Sequence, residues 1–135
     1  MRLTVAMLAD SAQVSGGKLY VLGGAFDTVH ARSFPALVRA LSLVLVAEVA
    51  PADRERNLAI AIHLLDEDGA AIGVESKGVM RVRAPSSLPA GVSSLVPLVA
   101  SFVGIRFPKP GGYVFIIEHE GRELGRVPFR LRETR

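Results

Sequence analysis

The segment that most constrains this chain is its last: PKPGGYVFIIEHEGRELGRVPFRLR, residues 108–132. A Pro/Gly turn opens it. Tyr113, Phe115 and Ile117 alternate with Val114, Ile116 and Glu118, and Glu120-Gly121 marks a second turn. Val127, Phe129 and Leu131 then alternate with Pro128, Arg130 and Arg132. Side chains of a strand point to opposite faces in turn, so period-2 alternation broken by glycine predicts a half-buried β-hairpin with Tyr113, Phe115 and Phe129 inward. The rest of the chain repeats the pattern. Strands are predicted over 2–9, 18–22, 26–30, 37–49, 58–65, 72–82, 95–107, 113–119 and 124–132. The 95–107 strand is expected to be broken, and 95–102 is also compatible with a turn or two of helix. Ser15-Gly16-Gly17, Gly23-Gly24, Pro51-Ala52-Asp53, Asp66-Glu67-Asp68-Gly69 and the stretch from Pro85 to Gly91 supply the turns. The expectation is one all-β domain over 1–135, an antiparallel β-sandwich of immunoglobulin-like or jelly-roll-like type.

Composition agrees. The 135 residues suit one core, 50% of them are hydrophobic, and 13 Gly with 8 Pro suit a chain that turns often. With no Cys, disulfides, Cys-held metals and Cys nucleophiles are excluded. The stretch from Leu3 to Ala9 is short for a signal-peptide core and reads better as a strand. The run from Ala40 to Ala47 is far shorter than the ~18–20 residues of a membrane span, so a cytoplasmic protein with no membrane span is expected.

Chemistry-bearing motifs are sparse. Asp66-Glu67-Asp68-Gly69 resembles the start of a calcium loop, yet Ala70, Ile72, Val74 and Lys77 follow where oxygen ligands would be needed, so it reads as a hairpin turn. His30, His63 and His119 share no ligand spacing and are expected at the surface or at strand ends. Ser15-Gly16-Gly17-Lys18 runs into a strand rather than a helix and lacks the P-loop spacing. There is no nucleophile elbow. No metal, cofactor or catalytic set is therefore expected.

Two surfaces stand out. Arg126, Arg130 and Arg132 share the solvent face of the last strand, with Arg122 and Arg135 nearby, while Arg81 and Arg83 share an outer face elsewhere. No aromatic interleaves with the last-strand arginines to stack bases, so nucleic acid is not the expected partner. The strand 37–49 is apolar on both faces: Leu41, Leu43, Leu45 and Val49 form one, Val44 and Val46 the other. Such a strand is covered twice or lies at an interface. With Leu65 and the small Ala59 and Ala61 expected beside it, Val44 and Val46 define a candidate patch for a protein partner or a second copy.

The segments ADSAQVSGGKLYVLGGAFDTV and PGGYVFIIEHEGRELGRVPFRL resemble an uncharacterised bacterial family of small all-β proteins. Its pattern is a G-K-L-x-V-L-G-G opening, a long apolar strand, an L-x-D-E-D-G hairpin and a P-x-G-x-Y-x-F closing hairpin. The resemblance spans nearly the whole chain and implies a fold without an activity, cofactor or site residue. The functional expectation is a non-catalytic binding or assembly module acting through protein contacts. A pocket protein holding a small apolar ligand between its sheets, near a corner such as Gly23-Gly24, is the first alternative. An enzyme with an unrecognised site, gathering groups such as His63 and Asp66, is the second.

Overall fold

The computed structural model describes residues 1–83, 89 and 91–134, so most of the turn expected over 85–91, and Arg135 of the basic surface, lie outside the described residues. Among the described residues nine strands follow in order: β1 (Arg2–Ser15), β2 (Lys18–Phe26), β3 (Thr28–Ala31), β4 (Ala36–Val49), β5 (Asn57–Asp66), β6 (Ala71–Arg81), β7 (Ser94–Phe107), β8 (Gly111–His119) and β9 (Arg122–Glu133). One 3-10 turn, Pro51–Asp53, separates β4 from β5. The strands form two sheets, ordered β2-β1-β4-β7 and β3-β9-β8-β5-β6. All pairs are antiparallel except β3 with β9, a parallel pair that the expected all-antiparallel sandwich lacks.

Turn chemistry sets the hairpins. Ser15 pairs with Lys18 across Gly16 (φ 58°) and Gly17 (φ 74°), the two left-handed residues that a two-residue hairpin turn demands. Asp66 Oδ1 accepts the amides of Asp68 and Ala70 at 2.9 Å each, so that carboxylate staples its own turn. The hairpin reading of this motif thus holds.

The core lies between the sheets. Leu41, Leu43, Leu45, Ile105 and Phe107 of the four-stranded sheet meet Ile62, Leu64, Tyr113, Phe115, Ile117 and Phe129 of the other. Phe115 stacks on Phe102 across the sandwich (centroids 5.2 Å apart, 24° between planes) and on Phe129 beside it (5.5 Å, 21°). Tyr113 is buried, but its hydroxyl donates to Lys109 O at 2.6 Å. Burial raises its phenol pKa, and the hydrogen bond satisfies the polar end of an otherwise apolar side chain.

β7 corrects two expectations: it is one continuous strand and not helical. A change of facing within it has a local cause. Phe107 and Ile105 face the core, Gly104 and Val103 are consecutive exposed residues, and Phe102, Ala100 and Leu98 resume the core face. Gly104 (φ 71°) permits this switch of face. β4 does the same opposite it, where Arg39 and Ala40 are both exposed between Val38 and Leu41.

Candidate protein interface

The outer face of the four-stranded sheet is built from alternate residues of β1, β4 and β7. Val44 pairs with Met7 on one side and Val99 on the other; Val46 pairs with Val5 and Pro97. Ser42 sits between Ala9 and Ser101 in the next row. No charge interrupts these rows. The Arg2–Glu48 ion pair (2.6 Å) bounds one end and Arg39 the other. Leu95, 68% exposed, lies opposite Glu48 on the same face. At the far side, a Cβ on Gly24 would sit 2.9 Å from Val21 Cγ1 and 3.3 Å from Met7 Cε, so the glycine lets β2 close over β1.

Placing the sequence-derived patch on this frame corrects it. Val44 and Val46 belong to β4, whereas Ala59, Ala61 and Leu65 belong to β5 in the other sheet. The residues linking β4 to β5 cross the sandwich, so the two groups point away from each other and form no common patch. Val44 is itself fully buried between its cross-strand neighbours, while Val46 is half-buried.

Ala61 and Leu65 share the outer face of the five-stranded sheet with the arginines. Arg126, Ile116, His63 and Glu75 make one transverse row; Pro128, Val114 and Leu65 make the next; Arg130 and Gly112 make the third. Arg132 follows and pairs with His30 of β3. The three arginines are exposed on one face, as expected. Arg126 is chelated by Glu123 at 2.6 and 3.1 Å, which holds the Glu123 carboxyl below its ordinary range and pushes Arg126 up.

Spacing along the chain gives His63 no partner, but the sheet brings two carboxylates beside it. Its Nδ1 lies 3.4 Å from Glu75 Oε1 and its Nε2 lies 3.6 Å from Glu118 Oε2. These groups, with Glu123 and Arg126, line an open depression of about 440 Å³ over Ile116 and Leu65. The lining contains no Ser, Thr, Lys or Tyr to act as a nucleophile. Asp66 lines a neighbouring depression of about 520 Å³ instead. Among the described residues no His, Asp or Glu cluster can hold a metal ion.

His119 closes β8, a strand-end position as expected. It is buried, with Nδ1 2.7 Å from Ala59 O, so that nitrogen carries the proton and donates. Local spacing offered no sign of the His63 pairings. Counting outward from the Asp66–Gly69 turn sets His63 opposite Gly73. A register shift in the β5–β6 ladder, near Gly73 (φ 82°), moves Glu75 there instead.

An apolar cleft of about 170 Å³ opens between β6 and β7, lined by Leu45, Ile60, Ile62, Met80 and Leu98 among others. It reaches core residues, as the ligand alternative requires, but on the side of β6 and β7 rather than at Gly23-Gly24. Among the described residues no helix is long and apolar enough to cross a membrane.

No curated protein matches the chain. A solved structure that resembles it is the Pseudomonas fluorescens alkylpurine DNA glycosylase AlkC bound to DNA containing an abasic site analog. The TM-score is 0.44 and the identity 20%, over 78% of this chain and 27% of that one, a likeness too low to carry an argument. From residue 4 to residue 132 the sequence matches the model of DUF6941, a family of unknown function, and the chain belongs to that family.

Proposed function

We propose that this chain is an immunoglobulin-type sandwich serving as a non-catalytic binding or assembly module in a bacterial cytoplasm, and that it docks a protein partner on the outer face of its four-stranded sheet. Three observations support the immunoglobulin type. The order β9-β8-β5-β6 matches G-F-C-C′, the order β1-β4-β7 matches A-B-E, and the Tyr113 hydroxyl bond to Lys109 O matches a tyrosine corner.

The observation that carries the docking reading is the distribution of exposed apolar side chains. Of the ten large hydrophobics that remain exposed among the described residues, eight (Val5, Val14, Tyr20, Val21, Leu22, Leu37, Leu95 and Val103) belong to β1, β2, β4 and β7, with Tyr20 and Leu22 on the face opposite Val21. A sandwich strand ordinarily alternates apolar-in with polar-out. Here the outer rows are apolar, and burying each such side chain contributes about 1.5–3 kcal/mol. Two or three of them supply the anchors of an interface.

The test is affinity capture from the native host with the wild-type chain and with the double variant Val5→Lys/Leu95→Lys. A defined partner should be recovered with the wild type and lost with the variant, while circular dichroism and melting temperature stay unchanged. Recovery of the same proteins with both refutes the docking face.

The β6–β7 cleft favours a second reading, a small apolar ligand. Its volume is close to the ~150 Å³ of an apolar cavity that takes up benzene. Saturable benzene-induced shifts of the Met80 methyl resonance support it, and shifts that never saturate exclude it.

A further inference from the structure

Across the outer face of the five-stranded sheet, charge is divided unevenly. β9 carries Arg126, already chelated by Glu123, and Arg130. The opposite side, β5 with the turn after it and β6, carries Glu67 and Glu75, with Lys77 3.4 Å from Glu75. Between them runs an apolar strip of Leu65, Val114, Ile116 and Pro128. Glu67 is folded over the start of β8: its Oε2 accepts the Gly112 amide at 3.3 Å, and a Cβ on Gly111 would meet its Oε1 at 2.9 Å. That places the Glu67 carboxylate in the same transverse row as Arg130, which pairs with Gly112. Among the described residues Arg130 has no ion-pair partner of its own, and it lines the same depression of about 520 Å³ as Glu67.

We propose that this face is a homodimer interface, two copies packing face to face about a two-fold axis that runs along β8. Such an axis exchanges the two sides of the sheet at constant height. Arg130 of one copy then faces Glu67 of the second, Arg126 faces the row of His63 and Glu75, and the apolar strip meets itself. The operation is its own inverse, so each contact forms twice, as an isologous interface requires. A two-fold axis running across the strands would set arginine on arginine. Charge thus selects both the partner, a second copy, and its orientation. The proposal uses the face opposite the docking rows of β1, β4 and β7 and stands or falls apart from them.

The experiment is sedimentation equilibrium of the full chain at rising protein concentration, in low and high salt. The wild type should dimerise, and salt should weaken the dimer because its charges lie at a solvated rim. Arg130→Glu and Glu67→Lys should each raise the dissociation constant about tenfold or more, since each reversal acts at both symmetry-related contacts. The swapped double variant Arg130→Glu/Glu67→Lys should bring it back to within about threefold of the wild type. Circular dichroism shows that each variant is folded. A monomer at every concentration overturns the proposal. So does a double variant no tighter than the singles, and so does a dimer broken by Leu95→Lys but indifferent to Arg130→Glu.

Discussion

Phe115→Ala probes the joint between the sheets. The ring is fully buried and contacts Phe102 of the opposing sheet and Phe129 of its own, both nearly parallel to it. Truncating a buried Phe costs about 3–5 kcal/mol. Each aromatic pair contributes about 0.5–1.5 kcal/mol beyond its buried area, which puts this site in the upper half of that range. Against the ~5–15 kcal/mol that stabilises a domain, a loss of about 4–5 kcal/mol removes roughly a quarter or more. At roughly 3–5 °C per kcal/mol for a chain of this size, the melting temperature should fall by about 12–25 °C. The assay is thermal and urea unfolding followed by far-ultraviolet circular dichroism. Phe115→Leu, which keeps most of the volume, guards against a variant that fails to fold and should lose less. A double-mutant cycle of Phe115→Leu with Phe102→Leu should return a coupling of about 0.5–1.5 kcal/mol. A fall of less than about 5 °C for Phe115→Ala, with zero coupling to Phe102, would refute the stacking of one sheet on the other through this ring.

Tyr113→Phe removes only the hydroxyl that donates to Lys109 O. Net loss of one such bond is about 0.5–1.5 kcal/mol, read as a melting temperature lowered by roughly 2–7 °C with an unchanged spectrum. Asp53 accepts hydrogen bonds from the Met1 amino group (2.9 Å) and from Arg56 (2.6 Å), and these hold its carboxyl below the ordinary value. Its folded-state pKa is depressed, so its stabilisation is present above the unfolded value of about 3.9 and fades as pH falls through the lower folded value. The melting-temperature difference between wild type and Asp53→Asn should be largest near neutrality and shrink below about pH 4.

Much of this architecture is legible in the residues because the signals are local. Alternation at Tyr113, Phe115 and Phe129 reports a pleated, half-buried strand, and Gly16-Gly17 reports a turn between strands, whereas Gly23-Gly24, expected to be a turn, lies inside the continuous β2. The apolar outer face of β4 was visible at Val44 and Val46 for the same reason. Pairing is another matter. Nothing local to Ala59, Ala61 or Leu65 states that β5 crosses to the second sheet, so the patch that joined them to Val44 was wrong in space though correct in facing. The 95–102 pattern is ambiguous because both faces are apolar: Leu98, Ala100 and Phe102 face the core while Leu95, Pro97 and Val99 pair with the outer-face residues of β4. The His63 neighbours come from three strands and a shifted register, and no spacing along the chain encodes that sum.

The docking face is tested most directly by a photo-crosslinking residue in place of Leu95, compared with one in place of Val79. Both side chains are two-thirds exposed, 68% and 66%, but Leu95 lies on the four-stranded sheet and Val79 on the five-stranded one. In the native host, position 95 should yield a discrete protein adduct that position 79 does not. Equal labelling at both positions, or adducts at 79 alone, would contradict the docking face.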